Sequence, residues 1–371
     1  MSPLPEDARR ATANAAKTPV VVAAEVLTAL GRLEETWQGL LAGKCGLRPR
    51  PVPGLATAYP LGLVDAAEGA IGSTARLSYF LRAVCRPLAA MAGVMARGQL
   101  LVATTKGAAD ELLLPGTSLW QGQAWQVGEL AAVATGCRGM VQTVSAACAS
   151  GTLALIQAAQ MIVCGQAEVV TIIGVDIASL FVLAGFASLQ ALDPEPCRPF
   201  AAGRQGLSLG EGAGLLILAS RTFAAKHRLP ALAAIAGWGA ASDATHITAP
   251  SREGLGLKEV IRQATGNGAI PVGAVNAHGT GTRYNDAMEM TAFLDCWEDL
   301  PPIHSVKGAL GHCLGAAGVI EAAIAVRSLA AGRIPPTVGF DRSEFPRASI
   351  SGTIALPLAC RTALSCNSGF G

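Results

Sequence analysis

The run Val144-Ser145-Ala146-Ala147-Cys148-Ala149-Ser150-Gly151 puts a cysteine where a β-prone stretch, Met140 to Val144, turns into an apolar helical stretch, Thr152 to Val163. A thiol at such an elbow lies near the first free N–H groups of the helix and the positive end of its dipole. Both favour the thiolate, which is the nucleophilic form. Taken alone, Cys148 reads equally well as a buried structural cysteine of an apolar chain. Two later histidine segments weigh against that reading.

The first is Asn276-Ala277-His278-Gly279-Thr280-Gly281-Thr282. It holds a histidine at a strand end on a tight loop, from which the imidazole can reach a cleft. The competing reading is a loop histidine that only bonds to backbone. The second runs from Ser305-Val306-Lys307-Gly308 to Gly311-His312-Cys313-Leu314-Gly315-Ala316-Ala317-Gly318. Lys307, His312 and Glu321 stand in an otherwise apolar segment, where charge is costly to bury unless paired. Glu321 is the expected partner of Lys307.

These residues need elements to position them. Strands are expected at Pro19 to Val26, Leu100 to Thr105, Glu168 to Val175, Leu215 to Ala219, Ala231 to Gly239, Val272 to Ala277, Ile303 to Val306 and Thr353 to Leu358. Helices are expected at Leu33 to Ala42, Ala75 to Ala96, Gln126 to Thr135, Thr222 to His227, Lys258 to Thr265, Asp286 to Cys296 and Leu314 to Ala331. Gly210 to Gly214 reads as a glycine-rich turn. Such alternation indicates an α/β fold with largely parallel, buried sheets. A faint repeat links Cys148-Ala-Ser-Gly151 to His312-Cys-Leu-Gly315, each opening a helix that stops at a glycine, Gly165 or Gly332. Two such halves would set Cys148 and His312 at equivalent helix N-termini, facing one another.

Composition bounds the rest. The 371 residues are 51% hydrophobic and 15% charged, so most of the chain must pack and disorder is excluded as the main state. A net charge of +2 gives no bulk basic field, which argues against a nucleic-acid partner. None of the ten cysteines has CxxC spacing, so no zinc knuckle is indicated, and reduced cysteines in a cytoplasmic setting are expected. Residues 1–18 read as a flexible leader without a signal-peptide apolar region. The uncharged stretch Gly139 to Ala167 is cut by polar residues and a turn, so no membrane span is expected there.

Together these motifs resemble the elongating β-ketoacyl-[acyl-carrier-protein] synthases, condensing enzymes of the thiolase superfamily. The resemblance starts at Pro19-Val-Val-Val and Gly43-Lys-Cys-Gly46. It continues through Cys148, Arg198-Pro-Phe200, Gly210-Glu-Gly-Ala-Gly214, the His278 loop and Lys307 to Glu321, and closes at Gly369-Phe-Gly371. It implies a thiolase-like fold of two pseudo-symmetric halves in α-β-α-β-α layers. One half would span 19–225 and carry Cys148; the other would span 226–371 and carry His278 and His312, lacking the family's last strand beyond Gly371.

By the same resemblance, Cys148 is the acyl-accepting nucleophile, and His278 and His312 are the two histidines of a decarboxylating site. Lys307 and Glu321 match the family's site lysine and glutamate. Phe370 matches the gating phenylalanine whose backbone N–H joins that of Cys148 in an oxyanion hole, and Thr280 and Thr282 fall on the substrate side of the histidine loop. The implied reaction condenses an acyl-enzyme with malonyl-carrier thioester, without metal or organic cofactor, in a fatty-acid or a dedicated polyene or polyketide pathway. Acyl carrier protein is the implied partner, within a homodimer or a heterodimer with a related subunit. Lys44, Arg48, Arg50, Arg252, Lys258 and Arg262 are candidate docking charges.

Two features depart from the family's pattern. Ala201 and Gln205 stand where aspartates are usual, and Ser365-Cys366-Asn367-Ser368 alters the gate run. They keep open a second reading, a non-condensing chain-length-factor subunit, although such subunits typically lose the cysteine that this chain keeps. A degradative thiolase would need a second cysteine in a Cys-x-Gly loop, and an initiating synthase an asparagine where His312 stands.

Overall fold

Aliphatic and β-branched runs become strands buried on both faces, and runs of small residues become the helices packed between them. The computed structural model describes residues 16–369 except 53, 55–56, 117, 119–121 and 247–248; most of the expected leader, up to residue 15, lies outside the described residues. In chain order come β1 (Pro19–Thr28), α1 (Leu33–Leu41), α2 (Thr74–Cys85), α3 (Ala92–Arg97), β2 (Gln99–Ala103), α4 (Ala124–Thr135) and β3 (Val141–Val144). Next are α5 (Ser150–Val163), β4 (Val169–Asp176), α6 (Leu180–Ser188) and β5 (Gly212–Ser220). The rest carries α7 (Leu255–Ala264), β6 (Val275–Asn276), α8 (Arg283–Cys296), β7 (Ile303–His304), α9 (Ala317–Ala331) and β8 (Leu364–Ser365).

The larger sheet runs in the order β1-β5-β4-β2-β3, with a two-residue strand, Gly31–Arg32, outside β1. β4, β2 and β3 are parallel, whereas β5 is antiparallel to both β4 and β1. β1 therefore runs the same way as β4, β2 and β3, and β5 is the exception among these five strands to the expected largely parallel sheet. Asp176 at the end of β4 lies opposite Gly212 at the start of β5, so the chain leaves and re-enters the sheet at one end. The smaller sheet, β7-β6-β8, is parallel throughout.

Five layers result, in the expected α-β-α-β-α order. Leu77, Phe80 and Val84 of α2 and Val127 of α4 cover one face of the larger sheet. Trp37 of α1, Ala158 and Ile162 of α5, and Val319 and Ile324 of α9 cover the other. The α9 helix is shared, since Asn276 of β6 donates its side-chain N–H to the Glu321 carbonyl at 3.2 Å. Ile261 of α7 and Met290 and Phe293 of α8 close the outer face of the smaller sheet.

Several expected elements differ. The 75–96 helix ends at Cys85 and continues as a 3-10 stretch, Arg86–Met91, because Pro87 has no N–H to extend it. The expected turn at Gly210–Gly214 is half strand: Gly212 and Gly214 lie inside β5. A Cβ at either would come within 2.9 Å of Ile320 in α9, so the glycines serve close packing. Of 231–239, only Ala233–Ala234 pairs with β1. The expected last strand shrinks to Leu356–Pro357, whose proline lacks a ladder donor, and β8 takes the place beside β6 instead. Two helical stretches, 74–97 and 314–331, are long and apolar enough to cross a membrane by composition; 67% of the second is buried in the core.

Candidate active site

The elbow is built from small residues. Ala147 sits in the left-handed region at φ 46°, which turns the chain sharply between β3 and α5. The Ser150 hydroxyl pins the turn, accepting from the Ala146 N–H at 2.8 Å and donating to the Ala147 carbonyl at 2.6 Å. Cys148 lies at its tip, 7% exposed. Directly after it, a Cβ on Gly151 would stand 2.9 Å from the Gly315 carbonyl and the Val319 N–H. The two glycine-led helix starts therefore touch backbone to backbone, and their leading residues meet.

His312 Nε2 is 2.9 Å from Cys148 Sγ. The His312 backbone is tied on both sides, its N–H to the Ser208 carbonyl at 2.7 Å and its carbonyl to the Gly210 N–H at 3.1 Å. The His278 ring meets the His312 ring edge-on, with centroids 5.1 Å apart. The structure thus brings all three residues together, and all three are buried. Among the described residues, neither imidazole Nδ1 has a hydrogen-bond partner.

Burial sets the charge states. It pushes the Cys148 thiol up to about 12, with only partial relief from Lys307. The expected ground-state thiolate is therefore corrected: a helix end stabilises an anion by about 0.3–1 kcal/mol, less than burial costs it. Burial, then the Lys307 charge, holds both His278 and His312 well below the usual imidazole value. The resting site is a neutral thiol against two neutral rings.

Lys307 and Glu321 form the expected pair, Nζ to Oε1 at 2.5 Å, and Lys307 Nζ also donates to the His278 carbonyl at 2.6 Å. Burial raises the Glu321 carboxyl against the pull of Lys307. The other Glu321 oxygen accepts from Asn367 Nδ2 at 2.7 Å, and Asn367 reaches Thr152 in α5. The altered C-terminal run is thereby joined to the site, and a Cβ on Gly369 would lie 3.3 Å from the Cys148 N–H. Phe370 lies outside the described residues.

Thr280 and Thr282 bond each other, hydroxyl to hydroxyl, at 2.9 Å. Beneath them are two groups the sequence reading missed. Asp286 accepts from the Thr280 N–H at 3.0 Å and the Phe200 N–H at 2.7 Å. Glu289 accepts from the His278 and Gly279 N–H groups. Their signal was two acids three apart on one face of α8, just after a loop with free N–H groups. In the 201–205 loop Arg204 lies 3.9 Å from Asp286 and pairs with Glu344 at 2.6 Å. Among the candidate docking charges, Arg50, Lys258 and Arg262 are already held in surface ion pairs.

Comparison with known proteins agrees with this geometry. Residues 81–224 match the family described as Beta-ketoacyl synthase, N-terminal domain, and residues 232–341 match Beta-ketoacyl synthase, C-terminal domain. The chain is 36% identical over 241 residues to Nodulation protein E of Rhizobium meliloti, covering 63% of this chain and 60% of that protein. It is 37% identical over 224 residues to 3-oxoacyl-[acyl-carrier-protein] synthase 2 of Vibrio harveyi, covering 56% and 54%. The matched segments therefore span less than two thirds of those relatives. Among solved structures, the ishigamide ketosynthase/chain length factor superposes with a TM-score of 0.87 at 26% identity, over 95% of this chain and 96% of that one.

Proposed function

The chain belongs to the β-ketoacyl synthase family, with its thiolase-like α/β fold, and from that membership we propose that it catalyses decarboxylative condensation of an acyl thioester with a malonyl thioester. The observation that carries the reading is the convergence of Cys148 Sγ, His312 Nε2 and the His278 ring in one buried cleft.

In the first half-reaction the Cys148 sulfur attacks the carbonyl of an acyl thioester. His312 Nε2, already in hydrogen-bond reach, accepts the thiol proton. The carrier thiolate leaves and takes a proton, and the acyl group remains on sulfur. The N–H of Cys148 is one donor for the tetrahedral oxyanion; loss of such a donor costs about 2.7–4 kcal/mol. In the second half-reaction the malonyl thioester loses CO2, and its electron pair forms an enolate. The Nε2–H groups of the two imidazoles hold the enolate oxygen; His312 becomes a neutral Nε2–H ring when the proton taken from Cys148 stays on Nε2 and its Nδ1 proton leaves to solvent. The carbanion equivalent then attacks the acyl-Cys148 carbonyl, forming the C–C bond and releasing the Cys148 thiolate, which takes a proton from solvent to restore the resting thiol. Lys307 and Glu321 fix the His278 loop, and Thr280 and Thr282 line its substrate side. The scheme uses no metal or organic cofactor.

The partners that fit are acyl- and malonyl-loaded carrier protein, because the thioester must be delivered to a buried cysteine. A second ketosynthase-fold subunit fits the outer edge of the larger sheet, where β3 has Val141 and Met140 exposed beside it. The likeness to a ketosynthase/chain length factor favours a heterodimer there, and the intact triad supports a condensing role for this chain. The pathway class, fatty acid or dedicated polyene or polyketide, follows from the acyl chain accepted.

Incubation with carrier proteins bearing short, medium, long and polyenoic acyl groups, followed by intact-protein mass spectrometry, tests this. The expected result is one acyl adduct, mapped to Cys148 and absent from Cys148→Ala. No adduct from any donor on folded protein would overturn the condensing role in favour of the non-condensing subunit.

A further inference from the structure

We propose that Cys148, His278 and His312 also form a binding site for one soft divalent cation, best fitted by Zn2+, which blocks the cleft reversibly. The inference rests on the geometry of the three side chains and stands whether or not the chain condenses thioesters. One sulfur and one nitrogen from each ring lie within 4.8 Å of one another. A tetrahedral zinc with its sulfur at about 2.3 Å and nitrogens at about 2.0–2.1 Å keeps those ligands about 3.3–3.6 Å apart. The Cys148–His312 separation of 2.9 Å must open by about half an ångström, and the widest separation must close by about 1 Å, both within reach of side-chain rotation.

The donor set is also chemically suited. One thiolate and two neutral imidazoles form a three-ligand zinc site that leaves a fourth position open. Lys307, whose positive charge is felt at all three side chains, is paired with Glu321 at 2.5 Å, and that carboxyl partly offsets its repulsion of the ion. Binding involves no redox change. The S–H bond breaks, its proton passes to buffer, and the sulfur pair forms the S–Zn bond. The Nε2 lone pair of His312 is redirected from the thiol to the metal.

What is missing sets the strength. Zinc-ligating histidines usually donate their other ring N–H to a carboxylate or carbonyl, and losing that partner costs about 10–100-fold in affinity. Here both Nδ1 atoms lack a partner among the described residues. The site is therefore one for a reversible, inhibitory ion.

Co2+ serves as the probe, added to metal-free, full-length protein. The expected result is a thiolate-to-cobalt charge-transfer band with tetrahedral d–d bands at one equivalent, displaced by Zn2+, lost in Cys148→Ser and at least tenfold weaker in His278→Gln. On the unsubstituted protein, Zn2+ should slow alkylation of Cys148, read by peptide mass spectrometry, at least tenfold, while Mg2+ should not. Bands that persist in Cys148→Ser would place the metal on the other nine cysteines and overturn the proposal. So would Cys148 alkylation that is unaffected by Zn2+, an outcome that does not depend on any variant folding.

Discussion

Glu289 holds His278 by its backbone: Oε1 accepts the His278 N–H and Oε2 the Gly279 N–H, each at 2.7 Å. Lys307 Nζ takes the His278 carbonyl at 2.6 Å, so both peptide groups of the histidine are fixed from outside its ring. The imidazole is free to face the cleft because no side-chain bond is needed to aim it. Glu289→Gln keeps the shape but sets an NH2 against a backbone donor. The backbone donor left unsatisfied costs about 1–3 kcal/mol. Malonyl decarboxylation is expected to fall about 10–100-fold, with acylation of Cys148 changed far less. Single-turnover assays of each half-reaction check this; equal losses in both would put Glu289 outside the specific support of His278.

The crossing of α5 with the start of α9 sets the distance between the nucleophile and its base. A Cβ on Gly318 would stand 2.5 Å from the Thr152 backbone nitrogen and 2.4 Å from its hydroxyl. Gly318→Ala therefore forces the helices apart, and overpacking of this kind costs about 1–3 kcal/mol. Denaturant unfolding should show that loss, together with slower Cys148 acylation. Gly93→Ala is the control, since a Cβ there meets nothing within 4 Å. An unchanged midpoint for Gly318→Ala would show that the crossing is not close-packed in solution.

The convergence of Cys148, His278 and His312 was legible because each sits at a strand end or helix start marked by glycine, and such punctuation is local. The Cys148–Gly151 and His312–Gly315 spacing even anticipated the contact between the two helices. Asp286 and Glu289 were missed, because two acids three apart on a helix are a weak signal and their partners are backbone N–H groups of a neighbouring loop, which no residue type advertises. The short strands β6 and β7 were misjudged in length, and β8 was not expected, for a related reason. Strand ends depend on which neighbour is present to pair, and Pro357 and Leu364 are separated by a loop that gives no periodic signal. The thiol's charge state was misread because helix-end electrostatics is visible in sequence, whereas burial is not.

That charge state has a direct test. Alkylation follows the thiolate fraction, and for a thiol pushed up to about 12 that fraction rises about tenfold per pH unit up to that value. Cys148 alkylation, followed by mass spectrometry, is expected to keep climbing from pH 7 to pH 10. An ordinary cysteine levels off above about 8.5. A plateau near neutrality would instead mean a stable thiolate–imidazolium pair. The same lowering of His278 and His312 keeps both rings neutral below pH 6.5, so decarboxylation should not fall as pH drops from 7 to 6.

Asp176 links the two halves of the triad from behind. Its buried carboxylate accepts from the Gly315 N–H at 2.8 Å, three residues past His312, and from the Thr105 N–H and hydroxyl at 2.9 Å each. The Thr105 carbonyl in turn accepts from Ser145, three residues before Cys148, at 3.2 Å. Lys106, at 3.2 Å, and the Thr104 hydroxyl, at 2.9 Å, complete its shell. Asp176→Asn leaves an N–H facing donors and strips Lys106 of its partner. Breaking a buried pair typically costs about 3–5 kcal/mol. The expected outcome is a large stability loss and, in the protein that remains folded, about a tenfold slower acylation rate with little change in KM. Lys106→Met separates the causes, since it removes the ion pair and the bond to the Ile177 carbonyl but leaves the Asp176 bonds to Gly315 and Thr105. If Lys106→Met slows acylation as much as Asp176→Asn, charge balance rather than the bonds to Gly315 and Thr105 sets the rate. If it leaves acylation intact, Asp176 acts by positioning the His312 turn against the cysteine elbow.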